Sequence, residues 1–264
     1  MRVVHDDQVG GDGTGRVALV TGASRRAGIG QAVVERLVAD GFAVLVHGWE
    51  PHDAEQPWGE DPGSARALVR RLGGSTALVE ADLADPAAPA ALVQAAVERF
   101  GRLDVLVANH ARSSEQSLEE LTAEELDLSH AVNTRGSLLL CQAFSRAFTA
   151  ADGGRVVLFT SGQHHGAMPG ELPYIATKGA LHQLTGSLAV HLMPRGITVN
   201  FIDPGPTDTG YASPEAVAAV AARHPGGRWG TPADTARLVS WLASPESAWV
   251  TGQVIGSDGG WAAR

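Results

Sequence analysis

Three side chains offer chemistry first. Ser161 follows a β-branched apolar run, Tyr174 comes thirteen residues later, and Lys178 four after that. Residues four apart share one face of a helix, so the phenol and the amine can enter the same cleft. A free tyrosine has a pKa of about 10 and is a poor base near neutrality. A neighbouring ammonium favours the phenolate and lowers that value. Reaching about 7 requires roughly 4 kcal/mol of differential stabilisation. The pattern predicts a tyrosine tuned downward by Lys178, with Ser161 donating a hydrogen bond to a substrate oxygen. A tyrosine and a lysine at this spacing are common on helices; the serine at a strand's C-terminal edge, where α/β sheets bind ligands, gives the pair its meaning.

A second constellation lies near the start. The apolar run 17–21 leads directly into Thr21-Gly22-Ala23-Ser24-Arg25-Arg26-Ala27-Gly28-Ile29-Gly30 and then into a helical pattern. A glycine-rich turn between strand and helix lets backbone N–H groups approach a pyrophosphate at the helix N-terminus. A tight turn without ligand uses the same glycines, and only the strand–turn–helix context favours binding.

These residues need a scaffold that carries them to one edge. Strands are predicted over 17–21, 43–47, 76–80, 105–108, 156–160, 198–202 and 254–255. Helical patterns fall over 29–40, 63–72, 86–100, 123–150, 173–194 and 232–243. Buried β-branched runs alternating with helices predict an α/β, Rossmann-like doubly wound fold: seven mostly parallel strands with helices on both faces. Residues 16–264 read as one dinucleotide-binding catalytic domain. Residues 1–15, polar and glycine-rich, read as a flexible extension. The polar connection 48–62 is either a flexible loop or part of a site, and 210–230 is irregular with a short Ala-rich helix.

With these residues in place the sequence resembles the short-chain dehydrogenase/reductase family, from about residue 16 onward. The turn at Gly22, Gly28 and Gly30 is similar to the family's TGxxxGxG, with two extra residues before Gly28. Asp82-Leu83 resembles its adenine-contacting pair. Asn109-His110-Ala111-Arg112 stands where the family has NNAG, with His110 and Arg112 as departures. Pro204-Gly205, with Thr207 and Thr209, resembles the segment that holds the nicotinamide carboxamide. The resemblance implies Asn133, Ser161, Tyr174 and Lys178 as catalytic residues, Asn133 loosening its helix so that a carbonyl holds a relay water. It implies that Gly22, Ser24, Arg25, Arg26, Gly28, Ile29, Gly30, Asp82, Leu83, Asn109, Ala111, Tyr174, Lys178, Pro204, Gly205, Thr207 and Thr209 bind the cofactor. His164 and Met168 are expected beside the substrate. The second strand ends His47-Gly48-Trp49-Glu50, with no aspartate where NAD sites place one, although Glu50 could reach. Arg25 and Arg26 can clamp a 2′-phosphate, so NADP(H) is favoured over NAD(H).

The implied activity is hydride transfer between the nicotinamide and a ketone or secondary alcohol, with 3-oxoacyl thioesters as the default substrate by resemblance. The alternatives are a catalytically silent dinucleotide sensor and an enoyl reductase. Enoyl reductases space their tyrosine and lysine seven apart, and here that position holds Leu181. A dehydratase or epimerase would usually need a longer C-terminal substrate region. A homodimer or homotetramer through the helices 126–148 and 181–193 is implied as well.

The bulk numbers agree. The chain has 264 residues, is 44% hydrophobic and carries a net charge of -9, giving nucleic acid no general attraction. No run of about 18 apolar residues exists, and a cytoplasmic protein is expected, without a membrane partner. The single cysteine, Cys141, reads as an inert buried thiol. The adjacent His164 and His165 should point apart, no Cys or acid lies at zinc-ligand spacing, and no metal is expected. The scattered tryptophans read as packing or pocket-lining residues. Glu119, Glu120, Glu124 and Glu125 read as a solvated helix cap.

Overall fold

The computed structural model describes residues 2–4 and 15–263. Its sheet runs β1-β4-β3-β2-β5-β6-β7-β8. Here β1 is Arg2–Val4, β2 Val17–Thr21, β3 Ala43–Gly48, β4 Thr76–Glu80, β5 Val105–Ala108, β6 Gly154–Phe159, β7 Ile197–Asp203 and β8 Val254–Gly256. The strands β2 to β8 pair in parallel, which is the seven-stranded sheet the sequence predicts. The expected extension over 1–15 lies mostly outside the described residues. Within it, Arg2–Val4 adds an eighth, antiparallel edge strand against β4, which the sequence reading did not anticipate.

Alternation along buried strands builds two cores. Side chains of successive strand residues point to opposite faces. Leu19, Leu45, Val79, Leu106, Leu158 and Val199 face one core. It is closed by α4 (Ala88–Phe100), α6 (Gly136–Ala147) and α7 (Leu172–Leu192). Their neighbours Ala18, Val20, Val44, Leu78, Val107 and Val157 face the other. That side is covered by α1 (Ile29–Ala39), α3 (Ser64–Leu72) and α9 (Pro232–Ala243). Each fully buried leucine contributes on the order of 2 kcal/mol. Cys141 is buried here, and burial pushes its thiol up to about 12, so it is inert as expected.

Because β2 to β8 run parallel, their C-terminal ends share one edge. From β2 the chain passes to β3 and β4 on one side, then returns to β5 on the other. The crevice at such a reversal is where open α/β sheets take ligands. The helix predicted over 123–150 is not uniform. It comprises α5 (Ala123–Ser129), a π-helical segment His130–Arg135, and α6. Among the described residues no helix is long and apolar enough to cross a membrane.

Candidate active site

A cavity of about 560 Å³ opens at that crevice. One end of it is built by the glycine turn. Gly22 has φ +73°, and a Cβ there would lie 2.6 Å from the Cα of His110; one on Gly30 would lie 2.2 Å from the Gly22 carbonyl oxygen. Only glycine lets turn and sheet approach this closely. The helix α1 begins at Gly28 with no side-chain cap, so its first N–H groups lack an intrahelical partner. The two-residue lengthening is absorbed by a bend in which the Gly28 N–H donates to the Arg25 carbonyl at 3.0 Å. The cradle therefore fits a pyrophosphate.

Two histidines fix this turn, and sequence reasoning missed both roles. Nε2 of His47 lies 2.9 Å from the carbonyl of Ala81, so it donates, and Nδ1 accepts the Gly22 N–H at 3.3 Å. Nε2 of His110 lies 3.1 Å from the Val132 carbonyl, which leaves Nδ1 to accept the Thr21 hydroxyl at 2.7 Å. Burial lowers His47 to about 4 and His110 to about 3, so both rings stay neutral. Asn109 donates to the carbonyls of Thr21 and Gly22, tying β5 to the turn.

Of the residues expected at the cofactor, Gly22, Ser24, Arg25, Gly28 and Ile29 line the cavity. So do Asp82, Leu83, Asn109 and Ala111 from the neighbouring strand ends, and Pro204, Gly205, Thr207 and Thr209 beyond β7. Gly30 lies behind the turn instead. Arg26 is off the wall as well: its side chain is 76% exposed and stands 4.0 Å from Asp61. Arg25 donates to the Thr209 carbonyl at 3.0 Å and packs over the Trp58 ring.

The connection 48–62 turns out to be part of the cavity. Trp49, His52, Asp53 and Trp58 line it, the last meeting Tyr211 edge-on at 6.4 Å. Its length and paired tryptophans were the available signal. Glu50 points elsewhere, accepting the Gly63 N–H at 3.0 Å at the start of α3.

At the other end Ser161 and Tyr174 line the wall together, with Met168 and Glu171 beside them. Ser161 lies just past β6, and its hydroxyl hydrogen-bonds the phenol. Tyr174 sits in the first turn of α7, whose start is set by Pro173, a residue suited to that position. Lys178 is buried behind the wall. Its Nζ donates to the Phe159 carbonyl at 3.0 Å and lies 5.6 Å from the centre of the Tyr174 ring. The predicted downward tuning of the phenol is not what this arrangement gives. Burial pushes Tyr174 up to about 12, against the hydrogen bond from Ser161, and burial likewise draws Lys178 down to about 8. Enclosure disfavours both charged forms, and at this separation it outweighs their attraction.

Asn133 lies in the π-helical segment, buried and off the cavity. Its amide donates to the Arg112 carbonyl and to Thr177 Oγ1, both at 2.9 Å. Its own carbonyl accepts the Ser137 hydroxyl at 2.6 Å. Glu125 is a correction to the solvated cap. It pairs with Arg112, Nη2 to Oε2 at 2.8 Å, both side chains being about 15% exposed. His164 does not line the cavity; its ring turns toward His165 and His182.

Comparison with known proteins adds a family. The family described as enoyl-(acyl carrier protein) reductase matches residues 22–262. An uncharacterised oxidoreductase of Bacillus subtilis is 38% identical over 247 residues, covering 93% of this chain and 96% of the relative. A versicolorin reductase of Emericella nidulans is 31% identical over 262 residues, covering 93% and 95%. A short-chain dehydrogenase from Burkholderia cenocepacia, solved in complex with NADP, superposes with a TM-score of 0.82 at 34% identity, covering 94% of this chain and 98% of that one.

Proposed function

We propose, from the premise that this chain belongs to the short-chain dehydrogenase/reductase family, that it interconverts a ketone and a secondary alcohol with NADP(H). The observation that carries this reading is the pairing of Ser161 and Tyr174 on one cavity wall whose other end is the glycine turn. When bound, the nicotinamide supplies or takes up the hydride. The chain's own residues manage the oxygen and the proton. Ser161 polarises the carbonyl oxygen, a role that strengthens as charge develops there. Tyr174 donates its phenolic proton to that oxygen in reduction and takes it back in oxidation. Lys178 would hold the nicotinamide ribose hydroxyls, and its ammonium, with the positive charge an oxidised nicotinamide supplies, would offset the burial that raises the phenol. Asn133 holds the loop that carries Arg112 through two backbone hydrogen bonds.

Two features favour NADP(H). Glu50, the acid nearest in sequence to the end of β3, is engaged at the start of α3, and Arg25 lines the cavity. The Burkholderia relative binds the same cofactor. Relatives named as reductases support carbonyl reduction, and 3-oxoacyl thioesters and polyketide ketones are the first classes to try. An enoyl reductase reading fails at position 181, where Leu181 is buried in the core and cannot replace Lys178. We read the molecule as a homodimer or homotetramer through α6 and α7, the latter exposing 78% of Val190.

The test is steady-state consumption of NADPH and NADH across simple ketones, 3-oxoacyl thioesters and aromatic polyketide ketones. Turnover of at least one class with NADPH is expected. Tight dinucleotide binding with no turnover of any class would replace this reading with that of a sensor.

A further inference from the structure

Three of the chain's ten histidines meet beside the reaction centre without entering the cavity. His164 and His165 belong to the turn after Ser161, His182 to α7. The rings of His164 and His165 are 3.8 Å apart, and His182 stacks on His164 at 4.5 Å. Adjacent histidines were expected to diverge, with no acid in reach. The short helical turn Gly162–His164 brings the two rings together, and tertiary structure supplies the acid, Asp203 at the end of β7. One donor atom from each of His164, His165 and Asp203 falls within 4.8 Å of the others.

From this cluster we infer that the chain binds one divalent transition-metal cation, of the zinc class, through His164, His165 and Asp203. Two imidazoles and a carboxylate form a donor set that such ions favour. Spacing supports it. Nε2 of His165 lies 3.6 Å from Oδ2 of Asp203. That is too long for a hydrogen bond, and close to the roughly 3.3 Å between two ligands held at about 2.0–2.1 Å on a tetrahedral ion. The remaining gap closes by rotation of the exposed His165 ring, while the Ser161 carbonyl holds His164 in place.

Orientation supports it independently. Metal-binding histidines commonly donate their second ring nitrogen to a carbonyl, which fixes the tautomer. Nδ1 of His164 lies 3.0 Å from the Ser161 carbonyl and so donates, leaving Nε2 with its lone pair. Asp203 is aimed in the same way. Oδ1 accepts the Gly205 N–H at 3.0 Å, and the buried carboxylate turns Oδ2 toward His165. His182 stacks on His164 from behind and stands outside the donor set. An ion here ties the turn that carries Ser161 to β7.

The experiment uses the full, untagged chain, stripped with chelator and then dialysed, and titrated with Co2+. One equivalent is expected to produce visible ligand-field absorption that Zn2+ abolishes. His164→Ala and His165→Ala are each expected to weaken Co2+ by more than about tenfold, while His130→Ala, an exposed control elsewhere, leaves affinity unchanged. Dinucleotide affinity, measured on every variant, confirms that each is folded. Absence of saturable binding overturns the inference, as does equal Co2+ affinity in the two alanine variants and the wild type. Neither readout depends on turnover, so this result stands apart from the assignment of the reaction.

Discussion

The side chain of Asn133 closes a two-bond clamp on the backbone of Arg112. The Arg112 N–H donates to Oδ1 at 2.6 Å, and Nδ2 donates to the Arg112 carbonyl at 2.9 Å. The helix segment bearing Asn133 is thereby tied to the loop after β5, at the cavity wall. Asn133→Ala leaves two backbone groups and Thr177 without this partner. A loss of about 1–3 kcal/mol per buried unpaired group follows, read as a lowered urea midpoint. Asn133→Asp, which places an acceptor against the Arg112 carbonyl, should lose at least as much. An unchanged midpoint in both variants contradicts the clamp.

The Arg112 side chain carries a separate prediction. It forks onto Glu125 through Nε and Nη2, both at 2.8 Å, and Nη1 lies 3.0 Å from His52 Nδ1. Burial pushes the Glu125 carboxyl up, but hydrogen bonds from Arg112 and Ser129 outweigh it and hold it below its ordinary value. Arg112→Met strands that carboxylate and should cost about 1–3 kcal/mol in equilibrium unfolding. The double variant with Glu125→Leu should recover most of the loss, since apolar replacement of a buried pair is often near neutral. A double variant no more stable than Arg112→Met would show that the pair is incidental.

How much of this was legible in the sequence follows from which residues act locally. The strands β2 to β7 announce themselves because both faces are buried and their β-branched runs are nearly unbroken. Tyr174 and Lys178 are legible because helical periodicity puts them on one face. The rest depends on contacts between distant segments. Arg112 and Glu125 pair only because α5 packs on the loop after β5. The connection 48–62 forms a wall only because Trp58 meets Tyr211 across the cavity. Asp203 reaches His165 through the pairing of β6 with β7. The phenol's upward shift was missed because spacing reveals a neighbour's charge and not the depth of burial that opposes it.

Acid should unfold the protein through its neutral buried histidines. In the unfolded chain each protonates near 6.5, whereas His47 is lowered to about 4 and His110 to about 3. Between those values the unfolded state binds more protons, so stability rises with pH. The contribution is fully present above about 6.5 and is lost as pH falls through the folded values. For His47 alone this amounts to roughly 3 kcal/mol. His47→Asn should flatten the dependence of unfolding free energy between pH 4 and 6.5, an order-of-magnitude window taken from the same reference values. An unchanged slope would sink this assignment.

Arg25 should discriminate between dinucleotides. It reaches the cavity between Trp58 and the Thr209 carbonyl. Arg25→Met is expected to weaken NADPH by about tenfold or more while changing NADH little, as loss of a charge-assisted hydrogen bond requires. Quenching of tryptophan fluorescence, with Trp49 and Trp58 lining the cavity, reads both affinities. Equal weakening of the two would assign Arg25 to loop closure alone.

The most direct measurement concerns one oxygen atom, the phenolic oxygen of Tyr174. Tyr174→Phe keeps the ring and removes the hydroxyl proposed to transfer the proton. With a ketone that the wild type reduces, kcat should fall by about 10²- to 10⁴-fold, while NADPH affinity stays within about twofold, because the role proposed for that hydroxyl is proton transfer. Turnover near the wild-type rate in this variant, with cofactor bound, would contradict the account at its centre.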